Sequence, residues 1–415
     1  GLSTERSLLP ARFFGVRLEK EEFSHGVRPF DPMLRVPHQY PAAGHRKHTV
    51  GITALWSHKV KPASGMSCGL DRPRDGAHPA VRQGWTMRDI TVLSGGIGGA
   101  RFIQGLLHGL REGLLPGVER DARVTVVANT ADDLWVHGLK VCPDLDTVMY
   151  TLGDGIDPDR GWGRRDETWS VREELAAYGV QPTWFGLGDR DVATHLVRTQ
   201  MLDAGYLLSE VTEALCRRWN PGVRLLPMSD DRVETHIAIA DPGAPSGRRA
   251  IHFQEYWVRL RAEVPAEAVV VVGLAEASAA PGVLEAISEA DLVLVPPSNP
   301  VVSVGTILGI QGVTEALQTT QAPVVGVSPI IGGTHGMAQQ LLTAIGVPVT
   351  AAGVGLHYGA RTSGGVLDGW LVADSDADLV PEIVASGLSC RAVPLLMTDH
   401  DATAAMVAAA IGLVS

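Results

Sequence analysis

The sequence predicts an α/β fold: a Rossmann-like, doubly wound, mainly parallel sheet with an inserted helical and hairpin subdomain. Three features predict it. Short apolar, β-branched runs recur at Ile90–Ser94, Val124–Ala128, Leu292–Val295, Val324–Val327, Leu371–Val372 and Ala392–Leu396, several with helical spacing between them. Such runs alternating with helices mark parallel strands covered on both faces. A glycine-rich segment, Ser94-Gly95-Gly96-Ile97-Gly98-Gly99-Ala100-Arg101, joins the first run to a helical pattern carried by Phe102, Leu106, Leu107 and Leu110. Between the two groups of strands the texture changes, with helical spacing at 171–178, 191–204 and 209–219 and extended hairpins over 226–262.

These features place a nucleotide-binding half at 87–150 and 263–415, and an inserted subdomain over a substrate site at 151–262. With 415 residues, 45% hydrophobic and 20% charged, the chain can bury a large core. No apolar run approaches the ~20 residues of a membrane span, and the first thirty residues lack the apolar stretch of a signal peptide. Four scattered cysteines with no C-x-x-C pair argue against zinc and a disulfide framework, so a reducing cytoplasm is expected. The net charge of −11 argues against nucleic acid as a partner of the whole chain, while leaving anionic small molecules open.

That charge is uneven. Residues 1–86 hold 13 Lys+Arg against 7 Asp+Glu, and six of the 14 histidines, with no sustained period of 2 or 3.6. They read as a flexible extension, or as sequence upstream of a natural start at Met87. A basic arm touching nucleic acid is the lesser alternative.

Ligands of open α/β sheets sit beyond the carboxyl ends of the strands. The glycine segment occupies such an end, where helix N–H groups and close backbone approach suit a phosphate. It is not the dinucleotide fingerprint, because Arg101 falls where the third glycine belongs, and no Gly-Lys-Ser/Thr follows. Ser94, Gly95, Gly96, Gly98, Gly99 and Arg101 are therefore candidates for phosphate or nucleotide binding without dehydrogenase chemistry. Asn129, Ser298, Asn299 and Ser328, each following an expected strand, join them on the same rim, although turn chemistry explains them equally well one at a time.

The second strand leads into Asn129-Thr130-Ala131-Asp132-Asp133, and Pro143-Asp144-Leu145-Asp146 follows ten residues on. Four carboxylates with few cations between them repel one another unless a hard cation intervenes. Mg²⁺, which takes one or two carboxylates plus water and substrate phosphates, is the expected cofactor, with Asp132, Asp133 and Asp144 as candidate ligands. The alternative is that Asp144 or Asp146 caps a helix over 147–152. In Gly186-Leu187-Gly188-Asp189-Arg190-Asp191, followed by His195 and Arg198, the charges line an anionic ligand or simply start a helix. Trp162, Trp169 and Trp184, near Arg160, Arg164 and Arg165, offer planar recognition or plain core.

Taken together, these motifs resemble the CofD-like 2-phospho-L-lactate transferases, most closely their actinobacterial, phosphoenolpyruvate-transferring branch in coenzyme F-420 biosynthesis. The resemblance rests on Asp144-Leu145-Asp146-Thr147, Gly188-Asp189-Arg190-Asp191 and Ser298-Asn299-Pro300 in that order, and runs from Met87 almost to Ser415. It implies transfer to the deazaflavin Fo from a guanylylated diphosphate carrying phosphoenolpyruvate or phospholactate, with GMP leaving. It also implies Mg²⁺ dependence, a homodimer, and an Fo site touched by Asp146 and by the backbone of Gly186, with Asp189 and Arg190 beside it. In the chemistry this suggests, Asp132 and Asp133 hold the metal, and Asp146 orients the ribityl hydroxyl and takes its proton.

One departure stands out. Relatives usually carry a Lys or Arg in a slightly longer loop where this chain has Thr334-His335-Gly336-Met337, so donor binding is expected to weaken above pH ~6.5. A competing reading of a different class is a non-enzymatic CofD-like regulator that binds a nucleotide sugar. Such regulators share the glycine segment and later strands but not the Asp144–Thr147 and Gly188–Asp191 motifs.

Overall fold

The computed structural model describes residues 86–333 and 338–415. The extension at 1–85 and the loop at Thr334–Met337, with His335, lie outside the described residues.

The first strand, β1 (Met87–Ser94), runs straight into α1 (Gly96–Glu112), then β2 (Val118–Ala128). A small hairpin follows, β3 (Leu134–Val136) and β4 (Leu139–Val141), turning on His137 and Gly138 with φ of 52° and 76°. Two left-handed residues give the twist a two-residue hairpin needs. Helices α2 (Pro143–Leu152), α3 (Ser170–Ala177), α4 (Asp189–Asp203) and α5 (Leu208–Trp219) come next. Strands β5 (Arg224–Pro227), β6 (Glu234–Ala240), β7 (Arg248–His252) and β8 (Ala268–Val272) follow, with a single π-helical turn after β7. The chain then alternates: α6 (Val283–Ser288), β9 (Leu292–Val295), α7 (Val304–Gly309), α8 (Val313–Thr319), β10 (Val324–Val327), α9 (Ala338–Ala344), α10 (Ala351–Tyr358), β11 (Gly369–Ala373), α11 (Val380–Ala385), β12 (Ser389–Val393) and α12 (His400–Ile411).

Seven strands form one sheet in the order β12-β11-β10-β9-β1-β2-β5, every pair parallel. Alternate residues feed opposite faces. Val92, Val126, Leu294 and Val325 pack under α1, α2, α5 and α12 through Phe102, Leu106, Val148, Val211 and Val407. Leu93, Val127, Val293 and Val324 face the other layer, with Ile287, Ile307, Leu317, Leu341 and Val354. The expected doubly wound α/β sheet is therefore what the chain forms. From β1 the chain winds outward to β2 and β5, then returns to β9 on the other side, so the direction switches between β1 and β9.

Two strands fall on the other side of the expected subdomain boundary. β5, inside 151–262, completes the main sheet beside β2, with Leu225 and Leu226 buried opposite Val126 and Val127. β8, expected in the nucleotide half, instead pairs antiparallel with β6 in a three-stranded sheet, β7-β6-β8. An apolar run identifies a buried strand without saying which sheet receives it. β12 also ends at Val393 rather than Leu396, because Pro394 has no N–H to give the ladder. Among the described residues no helix is long and apolar enough to cross a membrane.

Candidate functional site

The switch between β1 and β9 opens a crevice at the carboxyl ends of the strands. The glycine segment there is the first turn of α1 itself, not a loop ahead of it. Gly96 has φ of 64°, and no acidic residue lies in the first turn, so the positive end of the helix faces no carboxylate of its own. The glycines permit close packing: a Cβ on Gly98 would lie 2.7 Å from the Pro297 carbonyl oxygen, and one on Gly99 would run into Ser94 Oγ.

Several polar candidates take part in building this crevice. Ser298 Oγ accepts from Gly95 N at 3.1 Å and donates to Gly95 O at 2.8 Å, stitching the β9 loop to the glycine turn. Asn299 Oδ1 accepts from Val301 and Val302 N, and Ser328 Oγ bonds both N and O of Ile330. Asn129 Oδ1 accepts from Ala131 N and Thr306 Oγ1. Ser94 Oγ is buried with no hydrogen-bond partner, and Arg101 is exposed, so these two keep their donors.

The four aspartates separate. Helix α2 begins at Pro143, earlier than expected, with Cys142 at the cap, so Asp144 and Asp146 are first-turn residues and neither is the cap. Asp144 turns to the crevice, accepting from Asn129 Nδ2 at 2.9 Å. Burial pushes its carboxyl up to about 6, with the Asn129 side chain and the Gly96 backbone holding it down in part. Asp132 is raised well above the ordinary range by burial and by the neighbouring Asp144 and Asp133. Asp133 is raised by burial, offset in part by Lys140, whose Nζ stands 3.3 Å away. Asp132 Oδ1 and Asp133 Oδ1 are buried without a hydrogen-bond partner.

Unpartnered oxygens on crowded, buried carboxylates are the donor set of a hard cation, and Mg²⁺ fits them. Among the described residues no three His, Cys, Asp or Glu side chains converge into a ready cage. A cation here would rest on one or two carboxylates and take its remaining ligands from water and substrate.

Asp146 faces away from the crevice. Its carboxylate is held by both terminal nitrogens of Arg198 on α4, and His195 Nδ1 lies 3.7 Å from it. His195 Nε2 reaches Asp191 at 3.3 Å, and Tyr150 Oη donates to Asp191 at 2.7 Å. Asp146, His195 and Arg198 thus form a buried charge network binding α2 to α4. Both carboxylate oxygens of Asp146 are thereby engaged by Arg198.

Asp189 accepts from Thr168 Oγ1 and from Ser170 and Val171 N, capping α3, and its carboxyl is held low by Thr168 and those amides. Glu167 in turn takes Arg190 N and Asp191 N at the start of α4. The Arg190 side chain is exposed, touching only the Arg165 carbonyl. Gly186 lies between Phe185 and Leu187, both of which line a cavity of about 590 Å³ with Trp169, Arg172, His137 and Leu139. Arg160 stacks between Trp162 and Trp169, 5.1 Å from each ring.

Four residues of the site carry no sequence signal strong enough to find them. Lys140 is one. Thr306 and the pair His252 and Gln254 are the others: His252 Nε2 lies 3.2 Å from Asp133 O and Gln254 Nε2 3.4 Å from Asp132 O, gripping the two carbonyls between the acids. Burial, with His236 nearby, pulls His252 down to about 4.

The chain is similar to several known proteins. A phosphoenolpyruvate transferase of Streptomyces coelicolor is 61% identical over 326 residues, covering 78% of this chain and 97% of its own. A protein of the same name from Mycolicibacterium smegmatis is 59% identical over 326 residues, covering 78% and 98%. A crystal structure of a Bacillus halodurans protein overlaps 79% of this chain and 99% of its own, with a TM-score of 0.48 at 17% identity. Residues 90–389 match the family described as 2-phospho-L-lactate transferase CofD, and the chain belongs to that family.

Proposed function

We propose that the protein moves the phosphoenolpyruvyl group, or its phospholactyl counterpart, from a guanylylated diphosphate to the terminal ribityl hydroxyl of the deazaflavin Fo, releasing GMP. The observation that carries this reading is the pairing of the α1 glycine turn and Asp144 with buried Asp132 and Asp133, whose unpartnered oxygens call for a cation at a diphosphate. The names of the Streptomyces and Mycolicibacterium relatives favour enolpyruvate over lactate.

In this reaction the ribityl oxygen forms a bond to the phosphorus bearing the three-carbon acid. The bond from that phosphorus to the GMP oxygen breaks, and GMP leaves with the electron pair. Mg²⁺, when bound, neutralises the diphosphate charge that builds as GMP departs. Asp132 and Asp144 would hold it. The α1 amides and Arg101 bind the donor phosphates, work that needs position and charge rather than covalent help. Asp133, with its free Oδ1 and raised pKa, accepts the hydroxyl proton, a contribution of ~10²–10⁴-fold. Asp146 keeps Arg198 and α4 in place. The planar deazaflavin occupies the 590 Å³ cavity between Trp169 and Phe185, beside Gly186. The same reading carries a homodimer in the cytoplasm, the former testable by light scattering.

The test feeds Fo, Mg²⁺ and guanylylated phosphoenolpyruvate, then guanylylated phospholactate, to the full chain and reads products by mass. Product with stoichiometric GMP upholds the reading, and the two rates name the donor. Absence of Fo binding, with a nucleotide sugar retained instead, would replace the transferase by a regulator.

A further inference from the structure

One unassigned side chain stands against the buried acids of the site. Asp144 touches the glycine turn, since a Cβ on Gly95 would lie 2.7 Å from its Oδ2. Asp132 and Asp133 follow at the end of β2, and Lys140 stands against Asp133. The hairpin that carries Lys140 also supplies His137 and Leu139 to the wall of the cavity. Adjacent strand residues point to opposite faces, so the Lys140 side chain leaves the hairpin on the side away from Leu139 and reaches Asp133.

Its chemistry is unusual for this chain. Lys140 is the only lysine after Lys61, every later permanent cation being arginine. Its backbone is clamped from α4 on both sides: Lys140 N donates to Thr199 Oγ1 at 2.8 Å, and Lys140 O accepts from Arg198 Nη1 at 3.3 Å. The ammonium is loosely engaged by comparison. It carries three donors, and the one ion pair it makes among the described residues is with Asp133 Oδ2 at 3.3 Å. The Lys140 side chain is 15% exposed and that of Asp133 only 1%, so of the pair the lysine is the member that meets solvent. A buried pair retained only for structure needs its donors satisfied. Here a fixed backbone carries a partly exposed cation whose ion-pair partner is a buried carboxylate of the crevice.

We propose that Lys140 is a catalytic residue whose ammonium turns from Asp133 to the non-bridging oxygens of the phosphoryl group while that group passes from GMP to the ribityl hydroxyl. The inference rests on the donor and acceptor of the proposed function. The bonds made and broken are those already described; Lys140 exchanges no proton and stabilises charge on the transferring phosphoryl. A lysine suits this because it is a compact charge with rotatable donors, whereas an arginine fork would lock on to Asp133.

GDP carries a β-phosphate where the transferred phosphoryl would lie, and GMP does not. Calorimetric titration of the full chain with each nucleotide in Mg²⁺ therefore isolates the contact without turnover. Lys140→Met should weaken GDP by about 10- to 100-fold while GMP changes by less than about twofold. Lys140→Gln, which keeps polar contact with Asp133, should show the same selective loss and guards against collapse of the first variant. Lys140→Arg, whose fork stays on Asp133, should lose most of the preference for GDP, and kcat of Lys140→Met should fall ~10²–10³-fold. Unchanged GDP affinity, or equal loss of GDP and GMP, would overturn the role of Lys140. A wild-type protein that binds neither nucleotide would overturn the donor reading beneath it.

Discussion

Asp144 and Asp146 stand two residues apart on α2 and look in opposite directions. Asp144 accepts from Asn129 in the crevice at 2.9 Å, while Asp146 is gripped by Arg198 on the far side, with Arg198 Nη1 at 3.1 Å from its Oδ2. A helix turns about 100° per residue, so neighbours at i and i+2 cannot share a face. The two carboxylates should therefore fail differently. Asp146→Ala leaves the Arg198 cation buried and unpaired and should cost about 3–5 kcal/mol in urea unfolding. Asp144→Asn should leave stability unchanged or raised, and should instead abolish saturable Mg²⁺ binding in titration.

The second prediction concerns protons at Asp144, raised by burial to about 6 from an ordinary 3.8. The folded pKa lies above the unfolded one, so this group's contribution is fully present below pH ~4 and is lost as pH rises through ~6. A bound cation reverses that loss by holding the ionised form. The Mg²⁺-induced rise in Tm should be small at pH 5 and grow to a plateau by pH 7.5, with proton release on binding below neutrality. Asp144→Asn should flatten the trend.

His252 titrates in the opposite sense. Its folded pKa of about 4 lies below the unfolded 6.5, because burial, helped by His236, disfavours the charged ring. Stability from His252 is thus present above pH ~6.5 and lost as pH falls through ~4, an effect on the order of 3 kcal/mol. Urea midpoints measured from pH 7 to 4 should drop, and His252→Gln should drop less.

Gly98 offers a steric test. A methyl group there would sit 2.7 Å from the backbone oxygen of Pro297, which cannot rotate aside. Gly98→Ala should cost about 1–3 kcal/mol and push α1 away from the β9 loop, weakening GDP and GMP alike. Parallel loss of both nucleotides distinguishes this variant from Lys140→Met.

The sheet was legible because its signal is local: Leu292–Val295 and Val324–Val327 form strands as their apolar runs require. The assignment of β5 and β8 to their sheets was not, because pairing partners lie far apart in sequence. The site was legible in part for a similar reason. Glycines and aspartates announce themselves by type, but the face on which Asp146 lies depends on where α2 begins, and that moved from 147 to Pro143. Ser298, Asn129 and Asp189 show the converse, polar residues of the right kind whose hydrogen bonds the scaffold consumes. Lys140 and His252 were silent because nothing around them in the sequence tells a pairing lysine or a histidine near a strand end from any other.

The switch between β1 and β9 also bears on how the protein comes into being. β1 is the first described strand, yet its second neighbour joins through Ile90↔Leu292, two hundred residues later. Until that segment has been synthesised, the flank of β1 opposite β2 has no partner, and Gly95 lacks Ser298. Closing so distant a contact is slow. The crevice is therefore among the last parts to form on the ribosome, and a nascent chain stalled before β9 exposes an unpaired strand edge, a surface that invites wrong pairing.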